Sequence, residues 1–166
     1  MKKALSSRLS VAAVACVILF ASNAALADKP AWQPVAEILV SSVGLSDPTR
    51  LSDVMNRCTA LNMTMSSLVS EDSPDLSQSY KSVALNLVQS GIIIESRLKK
   101  EMTGEEADVD ALVSTAIATV RELLHGYSDW LDDNYAHGGS YFNDEFETEM
   151  KACQLASRLV IQMQGG

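Results

Sequence analysis

The chain has 166 residues, with 13 basic against 21 acidic side chains and a formal charge of −8 at pH 7. That balance gives it no electrostatic reason to hold a phosphate backbone or an anionic membrane surface, and so argues against a nucleic-acid partner. The length suits one domain with one core.

The N-terminus reads as an export signal. Residues 1–8 form a basic lead, residues 11–21 are an unbroken apolar run, and Ala25-Leu26-Ala27 has the small-large-small spacing that signal peptidase reads. The run is too short for a membrane span and soon meets Ser22-Asn23. Cleavage is expected after Ala27. Residues 1–27 are then a signal peptide, and residues 28–166 one helical-bundle domain, periplasmic or secreted and away from the membrane after cleavage. Ala13-Val14-Ala15-Cys16 loosely suits a lipoprotein signal, but Val17-Ile18-Leu19-Phe20 follows where a polar tether belongs. The mature chain carries ten basic and 21 acidic residues, a net charge of −11. It keeps an even pair of cysteines for an oxidising compartment.

After this segment, Pro34 suits a first helical position. Val35, Ile38, Leu39 and Val43 recur at helical spacing, and Gly44 is a stop. Asp47-Pro48 pairs a capping side chain with a first-turn proline. Over residues 51–69, Leu51, Val54, Cys58, Leu61, Met65 and Leu68 alternate at spacings of three and four, one buried stripe of an amphipathic helix. Ser73-Pro74 repeats the start signal. It opens a second long helix reaching about Met102, with Leu76, Tyr80, Val83, Leu87, Ile94 and Leu98 on its stripe.

Thr103-Gly104-Glu105-Glu106 has the form of a capping box and predicts the start of a third long helix. That helix carries Val109, Leu112, Ala116, Val120, Leu123, Tyr127 and Trp130 at three-four spacing and stops at Gly138-Gly139. A fourth starts near Asn143 and turns Phe146, Met150, Cys153, Val160 and Met163 inward. No stretch alternates convincingly as a strand. The fold class is therefore all-α: an antiparallel four-helix bundle with a short extra N-terminal helix.

In an up-down-up-down bundle the first and last long helices are antiparallel neighbours, while the second and fourth lie on a diagonal. Cys58 falls about ten residues after the first begins and Cys153 about ten before the last ends, so both sit about 15 Å from the same end. The spacing predicts a Cys58–Cys153 disulfide linking these helices, in preference to two buried thiols.

The motifs that carry chemistry are incomplete. Glu122-Leu123-Leu124-His125 matches half of a di-iron bundle site, but no second Glu-x-x-His exists, and helical winding turns it away from the core stripe. A haem site lacks both Cys-x-x-Cys-His and an axial histidine on the last helix. His137-Gly138-Gly139-Ser140 resembles an oxyanion loop without its nucleophile turn. Met55, Met63 and Met65 have the chemistry for Cu(I) but do not converge, so methionine as core filler is preferred. The expectation is no catalytic residue, no metal ligand and no cofactor: not an enzyme.

Six of the aromatics crowd between Tyr127 and Phe146, interleaved with acids. The acids miss the calcium-loop register, since Tyr135 stands where an oxygen ligand belongs if Asp133 comes first. Tyr127, Trp130, Phe142 and Phe146 are expected to close the bundle end, leaving Tyr135 and Tyr141 as a candidate aromatic rim. Apolar residues also occur off the main stripes: Leu85, Val88 and Ile92 on the second long helix, Leu155 and Leu159 on the fourth. The short N-terminal helix can cover one of these patches and not both. The other is a candidate surface for a protein partner or a homodimer. The function expected is an exported binding or accessory module acting through protein–protein contacts. The alternative is a carrier of an apolar ligand, or of a metal such as Cu(I), within or at the end of the bundle.

Overall fold

The structure, a computed structural model, describes residues 33–41 and 47–164. The expected signal peptide with Cys16, the expected Val43 and Gly44 end of the short helix and the side chain of Met163 lie outside the described residues. Among the described residues five helices follow in order: α1 (Val35–Val40), α2 (Pro48–Leu68), α3 (Pro74–Thr103), α4 (Val109–Gly138) and α5 (Asp144–Gln164).

Local chemistry fixes their ends. Asp47 Oδ1 accepts from the amides of Thr49 and Arg50 at 3.0 and 3.4 Å, and Pro48 follows in the first turn of α2. Pro74 likewise opens α3, but Ser73 makes no side-chain cap bond. The capping box at Thr103 and Glu106 does not form. Thr103 instead ends α3, because Gly104 takes the left-handed conformation (φ 73°) and its N–H closes onto the Lys100 carbonyl at 2.9 Å. Glu106 pairs with Lys100 at 2.5 Å, and Asp108 caps α4 by accepting from the Ala111 amide at 3.1 Å. Gly139 (φ 70°) ends α4 in the same left-handed way. Asn143 Oδ1 accepts from the Phe146 amide at 2.8 Å at the start of α5, where Asp144, Glu145 and Glu147 favour the positive end of the helix dipole.

The four long helices form a bundle with α1 as the short additional helix. The Cys58–Cys153 disulfide joins α2 to α5 across a Cα–Cα distance of 5.2 Å. The expected four-helix bundle with its short extra helix and the bridge are both present. The interior differs in two ways.

First, α2 is buried on every side rather than along one stripe. Ser52, Asn56, Arg57, Thr59, Asn62, Thr64 and Ser66 are buried together with Val54, Met55, Cys58, Leu61 and Met65. Small residues recurring every seven positions on both partners explain how α3 packs so closely against it. Ser66 Oγ donates to the Ser77 carbonyl at 3.0 Å, and Thr59 Oγ1 reaches the Ala84 carbonyl at 3.3 Å. An ideal Cβ on Gly91 would lie 3.3 Å from Met55 Cβ and 3.8 Å from Ser52 Oγ. Ser77, Ala84 and Gly91 thus run antiparallel past Ser66, Thr59 and Ser52, a seven-residue repeat that keeps one seam facing its partner. The larger Leu76, Tyr80 and Val83 are displaced to the flank of α3.

Second, α3 and α5 are neighbours rather than a diagonal pair. No Cα of α4 comes within 8 Å of one in α5. Aromatic side chains bridge that gap, with ring centroids of Trp130 and Phe146 5.4 Å apart. The buried Val35, Ile38 and Leu39 of α1 join the core cluster of Ala152, Ala156 and Val160 on α5.

Helix lengths shape the remaining end. α2 and α5 have 21 residues each, α3 and α4 have 30. At 1.5 Å per residue the longer pair exceeds the shorter by about 13 Å. Residues 92–115, around the α3–α4 turn, contain no buried side chain.

Candidate functional site

Three features stand out once these elements are placed. The innermost is a polar node that ties α1, α2, α4 and α5 together. Arg57 Nη2 donates to Glu149 Oε1 at 2.5 Å, with both side chains almost wholly buried. Tyr127 donates its hydroxyl to the same oxygen at 3.0 Å, and the Val35 amide donates to Glu149 Oε2 at 2.9 Å. Arg57 Nη1 also donates to the Gln33 carbonyl. Burial first, and the Glu149 charge second, push the Tyr127 phenol far above the usual tyrosine range. Glu149 thus meets donors from three other helices and stands 4% exposed. That is the arrangement of a structural clasp. Tyr127, expected to close the bundle end, serves this node through its hydroxyl.

The second feature is a groove of about 300 Å³ between α3 and α5. Leu76, Tyr80, Val83 and Met150 form its walls, Asn62 and Cys153 line it from the clasped α2–α5 seam, and Ser79, Gln154, Ser157 and Arg158 are its polar members. Asn62 Nδ2 is occupied by the Cys58 carbonyl at 2.7 Å. A smaller cleft of about 210 Å³ lies between α1, Trp130 and the start of α5, with Glu37, Glu145 and Glu149 among its lining residues.

The third is the projecting end of the α3–α4 hairpin. The core stripe of α3 continues through Ile94 and Leu98 to Met102, and that of α4 begins at Val109, Leu112 and Val113. Met102 is 75% exposed, Val109 53% and Ile117 52%.

No protein-family model, curated protein or solved structure matches the chain. Its function has to be read from its own residues.

The apolar positions singled out from the sequence do not form one surface. Leu85 and Leu155 are exposed, whereas Val88, Ile92 and Leu159 are half-buried. α3 meets the groove beside α5 through Leu76, Ser79, Tyr80 and Val83, so winding the helix puts Leu85, Val88 and Ile92 on its opposite flank. Tyr135 and Tyr141 do come together, stacked at 4.6 Å with ring planes 18° apart. Tyr135 is exposed and Tyr141 half-buried, its carbonyl accepting from Asn134 Nδ2 at 3.1 Å.

Met55 and Met65 are buried and Met63 half-buried. Glu122 and His125 both face solvent on α4. Among the described residues no group of three or more His, Cys, Asp or Glu is placed to hold a metal ion, and no helix is long and apolar enough to cross a membrane.

The node and the projecting end are what reading the sequence misses. A signal for the node exists: Arg57 is beside one bridging cysteine, and Glu149 is one helical turn before the other.

Proposed function

We propose that the protein is an exported binding module that presents the α3–α4 end to a helical protein partner. The observation carrying this reading is the continuation of both core stripes past the ends of α2 and α5. Inside the bundle the same stripes are covered by α2. At the projecting end Leu98, Met102, Val109 and Leu112 have no helix of the described chain beneath them. Exposed apolar surface continuous with a core marks a contact site more strongly than scattered single residues do. A partner supplying one or two helices completes the missing wall, and a second copy of this chain has such a pair to offer. The disulfide supports the exported part of the reading, because such bridges persist in oxidising compartments.

The test places Asp at Met102 and, separately, at Val109. Both side chains are exposed, so helical circular dichroism and the unfolding midpoint should stay within about 0.5 kcal/mol of the parent. Sedimentation velocity reports self-association. Cross-linking from a photoreactive residue at position 102, against one at the exposed Lys81, reports a different partner in the exported fraction. Loss of either association in both variants supports the reading. A monomer whose position-102 cross-links match those of the control refutes it.

A further inference from the structure

We infer that the α3–α5 groove is a binding site for a single-chain amphiphile with an acidic head, a site separate from the projecting end. Its walls are apolar over Leu76, Tyr80, Val83 and Met150, and its volume of about 300 Å³ is at the lower limit for small-molecule pockets. That volume equals about ten water volumes. It accommodates a chain of roughly ten methylenes.

The head group follows from charge. The full chain has 21 acids and 13 bases, yet the one charged residue lining this groove is a cation, Arg158. Among the described residues Arg158 forms no ion pair, and no acid lies within four residues of it along α5. Gln154, one turn away, and the adjacent Ser157 add donors beside it. A carboxylate or phosphate ester at the rim meets the guanidinium, and its chain runs over Tyr80 and Val83 toward Met150.

Alternative sources of this head are separable by the probe. Decanoate represents a free fatty acid, decyl phosphate a lipid headgroup, and 1-decanol supplies the same chain uncharged. Calorimetric titration below the micellar range should show affinity rising about fourfold per added methylene from hexanoate to about decanoate, then levelling as the groove fills. Decanoate or decyl phosphate should bind about two- to fivefold more tightly than decanol, the range of a solvent-exposed ion pair. The tighter of the two assigns the source.

Arg158→Gln should remove that preference while leaving decanol affinity and the unfolding midpoint unchanged. Leu76→Glu, at a half-exposed wall position, should weaken all three probes. The inference is overturned if no acid binds at about 1 mM, if decanol equals both acids, or if Arg158→Gln changes nothing. It is overturned equally if an acidic peptide occupies the groove and decanoate does not, since the site then belongs to a protein.

Discussion

Replacing Glu149 by glutamine keeps the side-chain shape and removes its charge. Glu149 now accepts from Arg57, Tyr127 and the Val35 amide. A glutamine offers one carbonyl oxygen, so at least one of these donors meets an NH2 group instead. The Arg57 guanidinium stays charged in a site where it is 1% exposed. Breaking a buried ion pair from one side costs about 3–5 kcal/mol. For a chain of this size 1 kcal/mol moves the midpoint by about 3–5 °C, so the variant should melt about 10–25 °C lower.

Arg57→Met should cost a similar amount by stranding the carboxylate. The double variant buries no charge, and most of that loss should return, giving a coupling of about 3 kcal/mol between the two sites. Thermal circular dichroism of the oxidised protein measures the cycle. Hydrogen exchange at the Val35 amide, which loses its acceptor, should accelerate in Glu149→Gln. Single variants within 1 kcal/mol of the parent, or a double variant equal to the sum, would falsify the node as a clasp.

Three further outcomes are expected. Reducing the Cys58–Cys153 bridge, which spans 95 residues, should cost about 4–5 kcal/mol in the chain-entropy model, seen as a lower urea midpoint; an unchanged midpoint contradicts this. Gly91→Val should destabilise by about 1–3 kcal/mol despite the better helix propensity, because its Cβ meets Met55 Cβ, which the α2 backbone holds in place; a more stable variant shows that the seam can open. Tyr127 has a raised pKa in the fold, so the stability it contributes is complete below about pH 10 and declines as pH rises past the unfolded value. Tyr127→Phe should flatten that decline, and native tyrosinate absorbance near pH 11 should fall short of the unfolded protein by this residue's share.

The helices, their order and the disulfide were legible because each rests on a local signal or on helix-length geometry. Asp47-Pro48, Pro74, Gly139 and the spacing of Cys58 and Cys153 carry that information without reference to distant residues. The polar content of α2 was harder to place. An apolar stripe shows which face is certainly inside, but not whether the opposite face is outside; the signal that Ser52, Thr59 and Ser66 are buried is their seven-residue match with Ser77, Ala84 and Gly91, which lie on the next helix along the chain. The capping box failed for a different reason. Thr103 and Glu106 had the right types and spacing, but Gly104 between them offered the left-handed stop that a thirty-residue helix needs, and the stop prevailed.

The same choice of residues accounts for the groove. Small side chains let α3 approach α2 closely, with hydroxyls and amides such as Thr64 and Asn62 returning their hydrogen bonds to carbonyls four residues back. A helix faced with small residues offers less apolar area per turn to a second neighbour. The node and the disulfide instead fix α5 to α2 at two adjacent levels, Arg57–Glu149 and Cys58–Cys153. Held at those points, α5 does not close fully against α3, and Leu76, Tyr80, Val83 and Met150 are left lining a gap. Loosening the clasp should therefore alter the groove before it alters the α2–α3 seam. In Glu149→Gln at moderate temperature, exchange should rise first in the amides of α1 and α5, while those of α3 around Ala84 and Gly91 stay protected. Simultaneous loss across all of these elements would mean that α5 and the α2–α3 pair open as one unit.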